Sequence, residues 1–169
     1  LMPWYRGEAL HRLMKRSGTL DPDETLALCR PLFDALEDIH RHGVVHQDLK
    51  PANIYITTEG HPILLDFGAA GQFPHSSAAT RRKLGSAGYA APEQSDSQGK
   101  IGPWTDVYGL AATLYRCVSG QIPVDADSRR EALGRQEQDP LEPLGSLVDA
   151  SRFGPIAEAP EPVKGGEVN

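Results

Sequence analysis

Cysteine is nearly missing from this chain: two residues, Cys29 and Cys117, among 169. They lie far apart, each inside a helical pattern. That argues against a disulfide framework or a cysteine-built zinc site. Both read as small buried hydrophobes in a reducing compartment. An excess of positive charge is lacking too. Seventeen Lys and Arg stand against 23 Asp and Glu, a formal net charge of -6, so non-specific nucleic-acid binding is not suggested. No apolar run approaches the roughly 18 residues that span a membrane. Leu1 to Tyr5 lack the basic start and the apolar run of a signal peptide. There is no initiator Met; Leu1 in its place suggests that the chain is entered part-way. What remains is ordinary for a globular protein, 39% hydrophobic and 24% charged, and long enough for one domain with a real core.

The chain divides unevenly. Leu1 to Tyr5 reads as a strand end or an extended connector. Glu8 to Lys15 carries a short helical pattern that Ser17-Gly18 breaks. Asp21-Pro22-Asp23-Glu24 is a strong helix start, with a capping Asp, Pro in the first turn and Glu three residues after the cap. Apolar spacing then runs through Leu26, Cys29, Phe33 and Leu36 to Gly43. Pro31 within this span predicts a kink or a weakly joined first turn. Asn53 to Thr57 and Pro62 to Leu65 form a small hairpin around Thr58-Glu59-Gly60-His61. From Ala69 to Gly88 no period is sustained, which in a compact domain marks a functional or disordered loop. Asp106 to Ser119 is apolar over most of its circumference, hence a buried helix, with Asp106 as its N-cap. Ser128 to Gln138 reads as a solvent-facing helix opened by a Ser128/Glu131 capping box, with Ala132 and Leu133 to bury. From Asp139 Pro and Gly punctuate the sequence. Residues 139–169 are assigned to a poorly ordered tail, within which Leu141 to Val148 can pack locally.

Between apolar Val44-Val45 and Ile54-Tyr55-Ile56 lies His46-Gln47-Asp48-Leu49-Lys50-Pro51-Ala52-Asn53. Eight residues offer an imidazole, a carboxylate, an amine and a carboxamide on a loop between buried segments, a typical setting for chemistry. Asp66-Phe67-Gly68 follows after a hairpin's length of chain, and Ala91-Pro92-Glu93 comes later. Each tripeptide alone is weak. In this order, with a hairpin between the first two and a buried helix after the third, the chain resembles the large C-terminal lobe of a protein kinase over residues 1 to about 125. The fold this implies is mainly α with a small β-hairpin, a kinase-like C-terminal lobe (α+β) with the N-terminal lobe absent. The expected domain extent is 1–138.

The resemblance implies ATP and Mg2+ as cofactors and a Ser/Thr-containing protein as substrate. It makes Asp48 the catalytic base that accepts the hydroxyl proton and puts Lys50 beside the transferring phosphate. Asn53 and Asp66 become the magnesium ligands. Asp-Leu-Lys-Pro-x-Asn looks like the serine/threonine version; tyrosine-directed relatives carry Ala and Arg there. Leu1 to Tyr5 looks like the connector between lobes, with Met2, Trp4 and Tyr5 at the adenine, Glu8 reaching the ribose and Tyr55 under the base. Ser86 and Gly88 belong to the segment that receives the substrate peptide, Ser86 bonding the catalytic Asp and Lys. His46, Phe67, Glu93 and Asp106 are structural: His46 and Phe67 stack, and Asp106 accepts backbone N–H bonds from the loop. A metal site built from His40, His42 and His46 is the rival, without a carboxylate at suitable spacing.

Departures from the pattern matter as much. Gln47 replaces an Arg that commonly pairs with a phosphorylated activation loop, and a neutral amide makes no charge-assisted bidentate contact. Phosphorylation of Ser76, Ser77 or Thr80 is therefore not expected to be the main on-switch, although Arg81-Arg82-Lys83 could hold a phosphate. No glycine-rich loop or strand Lys precedes Leu1, and no late Arg is found to pair with Glu93. The expectation is an ATP-dependent Ser/Thr protein kinase whose isolated 169 residues, lacking the N-terminal lobe, are inactive. A non-catalytic kinase-like scaffold or binding module is the alternative, and a small-molecule kinase a third. The expected location is the cytoplasm.

Overall fold

The computed structural model describes residues 5–72 and 86–149. Its elements, in order, are β1 (Gly7–Ala9), α1 (Leu10–Ser17), α2 (Pro22–Arg41), β2 (Val44–Val45), β3 (Ile54–Thr57), β4 (Pro62–Leu64) and β5 (Gly71–Gln72). Then follow α3 (Pro92–Ser95), α4 (Pro103–Ser119), α5 (Ala126–Gly134) and α6 (Leu144–Leu147). Short 3-10 turns occupy Pro51–Asn53 and Phe67–Ala69.

The expected hairpin is present, but as part of a larger sheet. Strands run in the order β1-β3-β4, all antiparallel, with Glu8 opposite Ile56 and Tyr55 opposite Ile63. Glu8 therefore belongs to a strand, and the helix expected from Glu8 begins at Leu10. A three-residue strand is too short to show period two, so only its pairing with β3 reveals it. A second ribbon pairs β2 with β5, Val44 opposite Gln72 and Val45 opposite Gly71. This ribbon was hidden for the same reason.

Helix α2 opens on the expected capping box. The Asp21 carboxylate accepts the Asp23 N–H at 2.9 Å, and Glu24 Oε2 accepts the Asp21 N–H at 3.2 Å. It is one helix across Pro31. Apolar residues recur along one side of it, and Leu28, Leu32 and Leu36 are buried. They meet Leu10 and Met14 of α1, Ile54 of β3 and Leu110 and Cys117 of α4 in a single core. Leu26 and Phe33 of the expected stripe are instead exposed, at 58% and 46%. The buried line sits one position around the helix.

Two helix starts differ from expectation. Helix α4 begins at Pro103, where proline suits the first turn, and the Thr105 hydroxyl accepts the Gly102 N–H at 3.2 Å. Asp106 is thus in the first turn rather than at the cap, which leaves its carboxylate free for other donors. Helix α5 is capped by Asp125, not Ser128. Its carboxylate accepts both the N–H and the hydroxyl of Ser128, at 2.9 and 2.8 Å. Ala126 and Ala132 are buried, whereas Leu133 is exposed. Of the stretch assigned to a tail, residues 139–149 are described. Arg129 grips Asp139 through Nε and Nη2 at 3.0 and 2.7 Å, Tyr115 donates to the Glu142 carbonyl at 2.9 Å, and α6 packs on α4. The remainder of that stretch lies outside the described residues.

Candidate active site

The eight-residue loop hangs from a buried carboxylate. Asp106, 1% exposed, accepts the His46 N–H at Oδ2 and the Gln47 N–H at Oδ1, both at 2.8 Å. His40, near the end of α2, meets Oδ2 at 2.7 Å. A carboxylate only accepts, so this imidazole donates from Nε2. From the sequence, His40 offered only a place at the end of the α2 spacing and a part in the rival three-histidine site. Its place beside Asp106 depends on α2 packing across α4, which no local signal reports.

His46 is fully buried, and its Nε2 donates to the Leu65 carbonyl at 2.9 Å. Its ring lies 4.9 Å from that of Phe67, with the planes inclined by 53°. Phe67 is 45% exposed, so the stack has one open side. The two histidines serve different partners, and His42 points elsewhere, to the Asp38 carbonyl. Among the described residues no group of three His, Cys, Asp or Glu is placed to hold a metal ion. The three-histidine site is thereby set aside.

Four of the expected residues converge. Lys50 Nζ donates to Asp48 Oδ2 at 2.7 Å and to Ser86 Oγ at 2.8 Å. Asn53 Nδ2 donates to the Asp48 carbonyl at 2.8 Å and to Asp48 Oδ2 at 2.9 Å. Among the described residues, Asp48 Oδ1 has a single, long contact, 3.4 Å from Ser86 Oγ. One carboxylate oxygen is thus engaged by an ammonium and an amide while the other stays available. The 3-10 turn Pro51–Asn53 makes this possible, because it folds Asn53 back over Asp48. Leu49, between the two polar residues, is buried. A Cβ on Gly109 would lie 3.0 Å from that of Leu49, so the small residue lets α4 approach the loop closely.

Both expected metal ligands present oxygen. The Asn53 amide uses its nitrogen on Asp48, which turns its oxygen away from that pair. Asp66 is exposed, in the left-handed region with φ 59°, and Oδ1 accepts the Gly68 N–H at 3.0 Å. The Leu65 N–H bonds to the Asn53 carbonyl at 2.8 Å, which ties the two segments together. A carboxylate and an amide oxygen are hard donors of the kind magnesium takes, short of a full shell, as in sites completed by phosphates and water. The residues present fit that ion.

The adenine side is less complete. Met2 and Trp4 lie outside the described residues. Tyr5 is exposed, and its carbonyl accepts from the Tyr55 hydroxyl at 3.1 Å. Glu8 pairs with Arg16 Nη1 at 2.7 Å. Gly88 is buried with φ 84°, and a Cβ there would lie 2.6 Å from the Pro123 carbonyl oxygen. Only glycine fits that turn. Glu93 has a partner that sequence reading did not offer: the Thr105 hydroxyl donates to Oε1 at 2.7 Å. Ser76, Ser77, Thr80 and the Arg81-Arg82-Lys83 run lie outside the described residues.

Gln94 was also missed. Its Oε1 accepts the Ala91 N–H at 2.9 Å and its Nε2 donates to the Gln47 carbonyl at 2.7 Å. A Gln three residues after a helix cap is a legible capping signal, although its second bond is not. An apolar cavity of about 420 Å³ between α2 and α4, lined by Thr25, Cys29, Leu114 and Val118 among others, touches none of these groups. Convergent polar atoms, rather than that cavity, mark the site. Burial pushes the Cys117 thiol at the core up to about 12 and raises that of Cys29. Neither is a ready nucleophile.

Comparison with known proteins agrees with this geometry. Residues 1–147 match the family model for the protein kinase domain. Over 147 residues the chain is 35% identical to the serine/threonine-protein kinase PknK of Mycobacterium tuberculosis, covering 87% of this chain and 13% of that protein. It is 38% identical over 132 residues to the serine/threonine-protein kinase PkaA of Streptomyces coelicolor, covering 75% of this chain and 24% of that protein. A solved structure described as PpkA-294 in its apo form superposes with a TM-score of 0.66 at 29% identity, covering 85% of this chain and 48% of that one. The chain thus spans a small part of these curated relatives and about half of the solved one. With the loop, the hairpin and the buried carboxylate arranged as described, the chain belongs to the protein kinase domain family.

Proposed function

We propose that this chain carries the catalytic face of a serine/threonine protein kinase, which transfers the γ-phosphoryl group of ATP to a Ser or Thr hydroxyl of a protein. The observation that carries the reading is the unequal use of the Asp48 carboxylate. Oδ2 accepts from Lys50 and Asn53, while Oδ1 has, among the described residues, only its long contact with Ser86. Oδ1 accepts the proton of the attacking hydroxyl. The hydroxyl oxygen forms the new bond to phosphorus, and the bond to the bridging oxygen of the leaving ADP breaks. Lys50, whose ammonium links Asp48 to Ser86, supplies positive charge beside the transferring group. Asn53 and Asp66 would hold magnesium, which would neutralise charge on the phosphate oxygens. Ser86 and Gly88 form part of the surface that receives the substrate peptide. Of the residues assigned to the nucleoside side, Tyr5, Glu8 and Tyr55 are described. The use of ATP suits a cytoplasmic setting.

Asp48→Asn tests this. It keeps the shape and removes the base, so kcat for phosphorylation of a Ser/Thr peptide should fall by about 10²- to 10⁴-fold. Thermal stability should change little. Unchanged turnover in the variant would refute the assignment.

A further inference from the structure

Gln47 is one of three described non-glycine residues with positive φ, at 68°. A glutamine side chain gains nothing from this conformation, so something must hold it. Its N–H is held by Asp106 Oδ1 at 2.8 Å. Its carbonyl is held from the other side by Gln94 Nε2 at 2.7 Å. That carbonyl belongs to the peptide unit whose N–H is that of Asp48. The Asp48 N–H itself has a long contact, 3.4 Å, to His46 Nδ1. The strongest grip on the peptide plane preceding Asp48 is therefore Gln94. This plane sets ψ of Gln47 and φ of Asp48, and so the direction in which the Asp48 side chain leaves the backbone.

Gln94 is itself fixed. It lies in α3, and its Oε1 accepts the Ala91 N–H at 2.9 Å, which closes the first turn. One amide therefore joins the Ala-Pro-Glu segment to the strained peptide of the catalytic loop. We propose that Gln94 is a positioning residue for Asp48, holding the Gln47 peptide in its left-handed conformation and thereby aiming the catalytic carboxylate. The coupling runs both ways. When α3 moves away, the Gln47 carbonyl loses its donor, the Gln47 conformation relaxes and Asp48 turns off its line. Order in the substrate-side segment is thus read directly by the catalytic loop. The effect on turnover rests on the kinase reading above; the grip on the peptide does not.

Gln94→Glu separates the two bonds. A carboxylate can still accept from the Ala91 N–H, so the turn stays capped, but it cannot donate to the Gln47 carbonyl. In the full-length protein this variant should lower kcat for peptide phosphorylation by about tenfold or more, the scale of cost when a reacting group is misplaced. KM for ATP should stay within about twofold. Amide hydrogen exchange over residues 46–49 should quicken, with exchange in the α2 and α4 cores unchanged. Gln94→Met, close in length but without either polar atom, should show the same acceleration and serves if the Glu variant fails to fold. Exchange over 46–49 at the parent rate in a folded variant overturns the proposal, and so does parental kcat. If the parent transfers no phosphate at all, the kinase reading has failed. The exchange comparison then still decides whether Gln94 holds the loop.

Discussion

The catalytic loop and the region of α5 and α6 are both held by polar contacts, and they use them differently. Around the loop, contacts are buried or part-buried and join segments distant in sequence: Asp106 to His40, His46 and Gln47, Gln94 to Gln47, Lys50 to Ser86. Around α5, contacts are local and wet. Arg130 pairs with Asp127 three residues away, Arg135 with Glu131 and Glu137, and all five side chains are at least half exposed. Water competes for every one of those pairs, so each contributes little. At the buried Asp106 and His46 an unpaired group has no water to turn to, so one lost partner costs the full desolvation of the other. A polar contact therefore constrains this protein in proportion to its burial and to the sequence distance it closes.

The comparison is broken most severely at Asp106. Asp106→Ala leaves two buried N–H groups and the His40 ring without their acceptor. It should cost about 3–5 kcal/mol, in line with the loss of one partner from a buried charged pair. Urea denaturation of variant and parent measures it. A loss below about 1 kcal/mol would mean that the loop does not hang from α4.

Leu110 sharpens the contrast between polar and apolar support, because it lies fully buried one helical turn from Asp106. Leu110→Ala should cost about 2–5 kcal/mol by transfer and cavity formation. Unlike Asp106→Ala, it should leave amide exchange at His46 and Gln47 largely as it was. Equal acceleration at those amides would show that packing, not the carboxylate, holds the loop.

The smallest effect belongs to the α5 region. Arg129 lowers the pKa of the Asp139 carboxyl, with help from the Leu141 N–H. The folded value lies below the unfolded one of about 3.9. The pair's contribution is thus full above that pH and is lost as pH falls through the depressed folded value. Arg129→Met should lower Tm slightly at pH 7, and the difference from the parent should fade towards pH 2. A difference that grows on acidification would contradict the pairing.

Much of the site was legible because its chemistry is local. Asp48, Lys50 and Asn53 lie within six residues, and a loop between apolar segments has few ways to place them. The Asp21 capping box was legible for the same reason, since cap and N3 are one turn apart. Short strands were not. Gly7–Ala9 and Gly71–Gln72 carry no period, and their hydrogen bonds go to β3 and β2. The start of α4 was misplaced because an acidic residue resembles a cap, whereas Asp106 spends its oxygens on the loop. Glu93 was expected to lack its partner; a hydroxyl from α4 supplies one.

By itself the sequence determined which functional groups this protein owns, the order of its three motifs and the helices with full caps and stripes. These are properties of neighbouring residues, set by backbone geometry and apolar spacing. Only the tertiary structure decided that His40 shares the carboxylate that holds the loop, which oxygen of Asp48 is left available and which residue grips the peptide before it. The first and last of these depend on partners 66 and 47 positions apart, and the second on Ser86, 38 positions from Asp48. Such pairs meet only once tertiary packing has brought distant segments within reach, and no local pattern encodes that distance.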